Sequence, residues 1–231
     1  MVPRTAAVFF DVDFTLIHPG PRFQGVGYQE SCARHGVLAD AARFEAAVAG
    51  ASAVLESADA LYDAELYLKY TRRIIELMGG AGPGVDGVAR EIYDDWAEHH
   101  HFSLYDDVPD ALRALNRQGV RLGLISNSHR CLVSFQSHFE LEDLIAVTIS
   151  SSQHGFLKPH PSIFNAAMQL MGVSPDAAMM VGDSLAHDVR GAEASGMRGV
   201  LLARGSVPPN TPAGVDVIRT LAELPALVAT P

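Results

Sequence analysis

The chain has 231 residues, 48% of them hydrophobic and 19% charged, with a net charge of -10. That is the composition of a folded protein with a substantial core, and it excludes a disordered segment. The acidic balance disfavours a nucleic-acid binder, whose footprint is basic, and obliges any anionic substrate to meet a local positive site made by a metal, a lysine or backbone N–H groups.

An apolar run from Ala6 to Phe10, broken at once by charge, predicts a short buried strand. His18-Pro19-Gly20-Pro21 predicts a loop or hinge. The chain then turns helical. Phe44, Ala47, Val48, Ala51, Leu55 and Ala58 keep one helical stripe, and Leu61, Ala64, Leu68, Thr71, Ile75 and Met78 keep the three-four spacing of a helix packed on helices. Gly79-Gly80-Ala81-Gly82-Pro83-Gly84 ends that helix, and Val88, Ile92 and Trp96 begin another. No strand pattern lies between about residues 22 and 101, so the block reads as a helical insertion. His99-His100-His101 reads as a polar helix end, because neighbours on a helix point about 100° apart and cannot share one ion.

From Asp106 the pattern changes. Pro109 among Asp106, Asp107 and Asp110 marks a helix start, Val108, Ala111, Leu112 and Leu115 carry its apolar face, and Gly119 ends it. Further strands are predicted at Val120 to Ile125, Ile145 to Ile149, Ala178 to Val181 and Gly199 to Leu202, with helical patterns between them such as Pro161 to Met171. Ser206 to Pro212 reads as a surface loop before a last short helix. Strands alternating with helices imply an α/β fold whose parallel sheet is covered on both faces and binds ligands at the carboxyl ends of its strands. Cys32 and Cys131 match no zinc or redox spacing and read as reduced core thiols. The apolar stretch near the N-terminus is too short for a signal segment, and no run reaches the roughly 20 apolar residues of a membrane helix. The expectation is a cytoplasmic protein without membrane or nucleic-acid partners; the oligomeric state is unread.

The predicted strand ends carry chemistry. Asp11 and Asp13 follow the first strand two residues apart, on one face of an extended backbone, with Thr15 two further on. Two like charges so close call for a cation, a shared proton, or a nucleophile and acid pair. The second strand ends in Ser126-Asn127-Ser128, which offers O–H and backbone N–H donors to an anion. Lys158-Pro159 follows the third strand, and Gly182-Asp183-Ser184 with Asp188 follows the fourth. Each piece alone has a plain reading as a turn, a solvated lysine or a helix cap. Together they supply a nucleophile, a second carboxyl, an anion cradle, a cation and a metal carboxylate.

Asp11-Val12-Asp13-Phe14-Thr15, Ser126, Lys158-Pro159 and Gly182-Asp183 with Asp188, followed by Gly191-Ala192-Glu193-Ala194-Ser195-Gly196-Met197, resemble the motifs of the haloacid dehalogenase-like hydrolase superfamily along the whole chain. The resemblance implies a Rossmann-like catalytic core over residues 1–17 and 103–231, with a helical cap domain over 18–102. It implies a magnesium-dependent phosphatase acting on a small phosphate ester. Asp11 would be the nucleophile and Asp13 the general acid and base. Thr15, Ser126, Asn127 and Lys158 would serve the phosphate; Asp11, Asp13 through its carbonyl, and Asp183 would hold Mg2+, with Asp188 behind them. The alternatives are a phosphosugar mutase or a carbon–halogen hydrolase of the same superfamily, or a silent binding protein on the fold. Phe14 departs from the glycine usual at its position in the family's phosphatases.

Overall fold

The computed structural model describes residues 5–56 and 61–229. In chain order the elements are β1 (Ala7–Phe10), β2 (Ile17–Pro19), α1 (Gly25–Arg34), α2 (Phe44–Glu56), α3 (Ala64–Leu77), α4 (Val85–Asp95), β3 (Phe102–Leu104), α5 (Val108–Arg117), β4 (Arg121–Ser126), α6 (Leu132–His138), β5 (Ile145–Ser150), α7 (Ser151–His154), α8 (Pro161–Met171), β6 (Ala178–Gly182), α9 (Arg190–Ala194), β7 (Arg198–Leu202), β8 (Asp216–Ile218) and α10 (Leu224–Ala229). They form two compact units, one of Pro19–Ser103 and one of the described residues through His18 together with those from Leu104 onward.

The first-strand unit is an α/β fold built on a six-stranded sheet in the order β5-β4-β1-β6-β7-β8, parallel throughout. β1 is central, in register with β4 (Phe9 beside Gly123) and with β6 (Phe9 beside Met180). All four of its side chains are fully buried, as expected of a parallel strand covered on both faces. One face buries Ala7, Phe9, Ile125 and Met180 against Ile163, Phe164, Ala167 and Met168 of α8 and Ala192 of α9. α8 starts at Pro161 with the His160 side chain accepting from the Ser162 N–H, and stops at left-handed Gly172. β1 lies where the strand order leaves in both directions, so its carboxyl end opens on the crevice where α/β sheets bind ligands.

Three short strands escape the apolar-run criterion. β8 carries Asp216, and β2 and β3 form a separate two-stranded ribbon. His18 and Pro19, expected in a loop, therefore lie in β2. β8 also precedes the final helix predicted after the proline-rich stretch.

The Pro19–Ser103 unit is helical, with no strand longer than the Phe102 and Ser103 end of β3 among its described residues. Leu68, Ile74 and Ile75 of α3 and Val88, Ala89 and Ile92 of α4 are buried at the expected three-four spacing. Asp63 caps α3 by accepting from the Glu65 N–H. Ala58 of the predicted stripe falls outside the described residues. Phe23 and Tyr28 are core residues, and Phe23 packs against Trp96 with ring centroids 4.5 Å apart. His99–His101 form a short 3-10 turn. Among the described residues no helix is long and apolar enough to cross a membrane.

Candidate active site

The site forms at the carboxyl ends of β1, β4 and β6. Just past β1 the Asp11 N–H bonds to the Val181 carbonyl, so the adjacent strand fixes the backbone of the first carboxylate. The chain then folds back on itself: the N–H groups of Leu16 and Ile17 both donate to the Val12 carbonyl, and that of Phe14 donates to Ile17. This tight loop puts Phe14 in the left-handed region at φ 63° with its ring 45% exposed. A non-glycine residue there is held against its preference, as happens at functional sites.

Asp11 is buried, and Lys158 is its partner. The ammonium group donates to Asp11 Oδ1 at 2.6 Å, Asp188 Oδ1 at 2.7 Å and the Ile125 carbonyl at 2.8 Å. These acceptors use all three ammonium donors, so Lys158 brings charge to the site and keeps no spare N–H. Two buried carboxylates hold its pKa above the ordinary lysine value even though burial works the other way. Burial pushes the Asp11 carboxyl up, with Asp188 adding to the rise and Lys158 opposing it.

Asp188 reaches the cluster on a single π-helical turn, Leu185–Val189, an irregularity common at functional sites. Its second oxygen accepts from the Ser184 N–H at 3.0 Å. A Cβ on Gly182 would land on the Asp188 carboxylate, which is why glycine precedes Asp183. Asp11, Asp183 and Asp188 offer oxygens that all lie within 4.8 Å of one another. Three carboxylates against one ammonium leave two negative charges uncompensated, which a divalent cation with a preference for hard oxygen ligands would neutralise. Asp183 is exposed, yet its carboxyl is pushed up to about 8, by desolvation first and then by Asp11 and Asp188. Solvent reaching the residue screens part of that repulsion, so the upward direction carries the meaning.

Asp13 is on the same loop but has a different partner. Its Oδ1 accepts from Arg130 at 3.0 Å, and the Arg130 side chain is fully buried. Burial raises the Asp13 pKa, with Arg130 the largest opposing influence. Arg130 ends the segment Ser126-Asn127-Ser128-His129-Arg130, whose other members also serve the site. Ser126 is buried and donates to Ser128. The Asn127 side chain accepts from the Lys158 N–H at 2.7 Å and donates to the Lys158 carbonyl at 2.9 Å, clamping that peptide from both sides. Thr15 is buried, its hydroxyl unpartnered among the described residues, and its carbonyl accepts from Arg204. Arg204 forms a bidentate pair with Asp107, which also accepts from Thr220 and the Leu221 N–H, and stacks 3.7 Å over the Tyr105 ring.

The structure thus brings Asp11, Lys158, Asp183 and Asp188 into one cluster and ties Asp13 to the segment after β4. His18 stays apart from them, its ring 5.0 Å from that of Tyr105. Arg130 is an addition that reading the chain misses. Cys131 is a correction: it is exposed, because it begins the turn into α6 and points away from the core, whereas Cys32 is buried as expected.

The chain is similar to known proteins in sequence and in fold. Haloacid dehalogenase-like hydrolase domain-containing protein 3 of Bos taurus is 29% identical over 140 residues, covering 61% of this chain and 55% of that protein. The phosphoserine phosphatase of Thermus thermophilus is 31% identical over 153 residues, covering 63% of this chain and 58% of the relative. The chain spans about half the length of the curated relatives it matches. A crystal structure of a HAD phosphatase from Thermococcus onnurineus superposes with a TM-score of 0.66 at 26% identity, covering 96% of this chain and 97% of that one. The family described as haloacid dehalogenase-like hydrolase matches residues 5–196, which include Asp11, Asp13, Ser126, Lys158, Asp183 and Asp188. The chain belongs to the haloacid dehalogenase-like hydrolases.

Proposed function

We propose that this hydrolase is a magnesium-dependent phosphatase acting on a small phosphate ester through an aspartyl-phosphate on Asp11. One observation carries the reading: a buried carboxylate at the end of the central strand is flanked by a lysine at 2.6 Å and by two further carboxylates, a group with oxygen donors for a divalent cation and a deficit of positive charge. Relatives named as phosphatases support the phosphate ester.

Asp11, Asp183 and the Asp13 carbonyl would hold the magnesium ion, with Asp188 orienting the cluster. When bound, the ion supplies charge that screens a phosphate dianion from Asp11 and stabilises the transferring group. In the first half-reaction an Asp11 oxygen attacks phosphorus, the bond from phosphorus to the leaving oxygen breaks, and Asp13 gives its proton to that oxygen. In the second, Asp13 takes a proton from a water that attacks phosphorus, and Asp11 is released. Lys158 bridges Asp11 and Asp188, offsets the repulsion between them and adds its charge to the site. The Thr15 hydroxyl, unpartnered among the described residues, would donate to a phosphoryl oxygen, as would the Ser126 hydroxyl on turning from Ser128, together with the Asn127 N–H. The Pro19–Ser103 unit would act as the cap that selects the leaving group and excludes water.

The test is release of phosphate from an aryl phosphate with and without magnesium, beside halide release from a 2-haloacid. Magnesium-dependent phosphate release is the expected result. Halide release that survives exhaustive chelation would replace the reading with carbon–halogen hydrolysis, which needs neither Asp13 nor Asp183.

A further inference from the structure

Arg130 is the largest of the fully buried side chains. Removing a guanidinium from water is expensive, and a buried ion pair is weak evidence of stabilisation. The burial therefore calls for another purpose, and the contact indicates one. Arg130 holds Oδ1 of Asp13, while among the described residues Oδ2 accepts no hydrogen bond and the Asp13 side chain stays 18% exposed. One oxygen is anchored from inside the protein and the other is presented outward.

The anchor and the rest of the site share a rigid origin. Ser126 closes β4, Asn127 grips the Lys158 peptide on both sides, and Arg130 reaches Asp13, all within five consecutive residues. The loop bearing Asp13 is itself folded by backbone hydrogen bonds from Phe14, Leu16 and Ile17.

We propose that Arg130 is a positioning residue for Asp13, fixing the carboxylate so that Oδ2 faces the leaving oxygen and then the attacking water. The proposal rests on the phosphatase reading for what Asp13 does, but the positional part stands apart from it. Misplacing a catalytic group by about 1 Å can cost roughly 100-fold in rate, so an effect of that order is expected in kcat with little change in KM.

The test has two arms. In the first, kcat and KM are measured for wild type, Arg130→Met, Arg130→Lys, Asp13→Asn and the double variant Asp13→Asn/Arg130→Met, with an alkyl and an activated aryl phosphate. Arg130→Met should lower kcat on the alkyl ester by about 100-fold, and less on the aryl ester, whose leaving group needs no proton. Arg130→Lys should recover part of the loss. The double variant should be no slower than Asp13→Asn alone, because Arg130 acts through Asp13. Additive losses, or an equal loss on both esters with no recovery by lysine, would overturn the proposal. The second arm is crystallographic: the Asp13 carboxylate should leave its position in Arg130→Met and keep it in Arg130→Lys. An unmoved carboxylate in Arg130→Met would refute positioning whatever the kinetics. If the wild type releases no phosphate from any ester, the phosphatase reading fails, and the second arm still decides the role of Arg130.

Discussion

Replacing Lys158 by methionine keeps most of the buried stem and removes only the charge. The ammonium group makes three hydrogen bonds, two of them to carboxylates, with 2% of the side chain exposed. Deleting one partner of a buried ion pair typically costs about 3–5 kcal/mol, because the remaining charges are left without compensation. For a chain of this size each kcal/mol is worth roughly 2–4 °C, so the metal-free variant should melt about 6–20 °C below wild type at pH 7 by calorimetry. The deficit should depend on pH. Without Lys158, nothing of that strength opposes the upward push of burial on the Asp11 pKa, which rises further above its unfolded value. The variant then recovers as pH falls and Asp11 takes up a proton, and suffers most where Asp11 is ionised. Magnesium should narrow the gap at pH 7 by replacing part of the missing charge. A variant that melts with wild type at pH 7, or a deficit that does not change between pH 7 and pH 4, would refute this account of the cluster.

Other consequences are separately checkable. In the metal-free wild type Asp183 should cost stability as pH rises above the ordinary carboxylate range, since its raised folded pKa favours the protonated native state; magnesium should flatten that slope, and a slope unaffected by the ion would count against Asp183 as a ligand. Asp183→Asn should raise sharply the magnesium concentration giving half-maximal phosphatase rate; an unchanged requirement removes it from the metal site. Phe14→Gly should stabilise the protein by about 0.5–1 kcal/mol, the relief of left-handed strain less the greater chain entropy of glycine; a lower melting temperature would show that the ring's packing outweighs the backbone cost. Asp107→Asn should cost about 2–3 kcal/mol, since it weakens a partly buried pair with Arg204 that supports the Thr15 carbonyl; a change below about 0.5 kcal/mol, the scatter of ordinary surface substitutions, would rule the buttress out.

The sheet was legible because its central strands are short apolar runs ended by charge or glycine, as Val8-Phe9-Phe10 before Asp11 shows. β8 was not, because Asp216-Val217-Ile218 is an edge segment with one buried residue, and three residues make no period. The carboxylates, Ser126 and Lys158 stood out because each lies at or beyond the carboxyl end of a strand and matches a family motif. Arg130 had no such signal. It lies in no periodic stripe, and its contact with Asp13 spans 117 residues of chain. The Asn127 clamp was hidden for the same reason: the residue was visible as a donor, but its side-chain partner is a peptide 31 residues away. Cys131 misled because cysteine is usually buried, and the turn into α6 turns it outward.

The central claim is a covalent bond between Asp11 and phosphorus, and the most direct measurement is a search for that bond. Wild type, Asp13→Asn and Asp11→Asn are mixed with a labelled activated aryl phosphate in magnesium, quenched in acid within the first turnovers, and reduced with borohydride, which converts an aspartyl-phosphate to homoserine before peptide mapping. Label is expected on Asp11 in wild type, in larger amount in Asp13→Asn because water activation is slowed, and nowhere in Asp11→Asn. Phosphate release by wild type with no label on Asp11, or with label on another residue, would contradict the account.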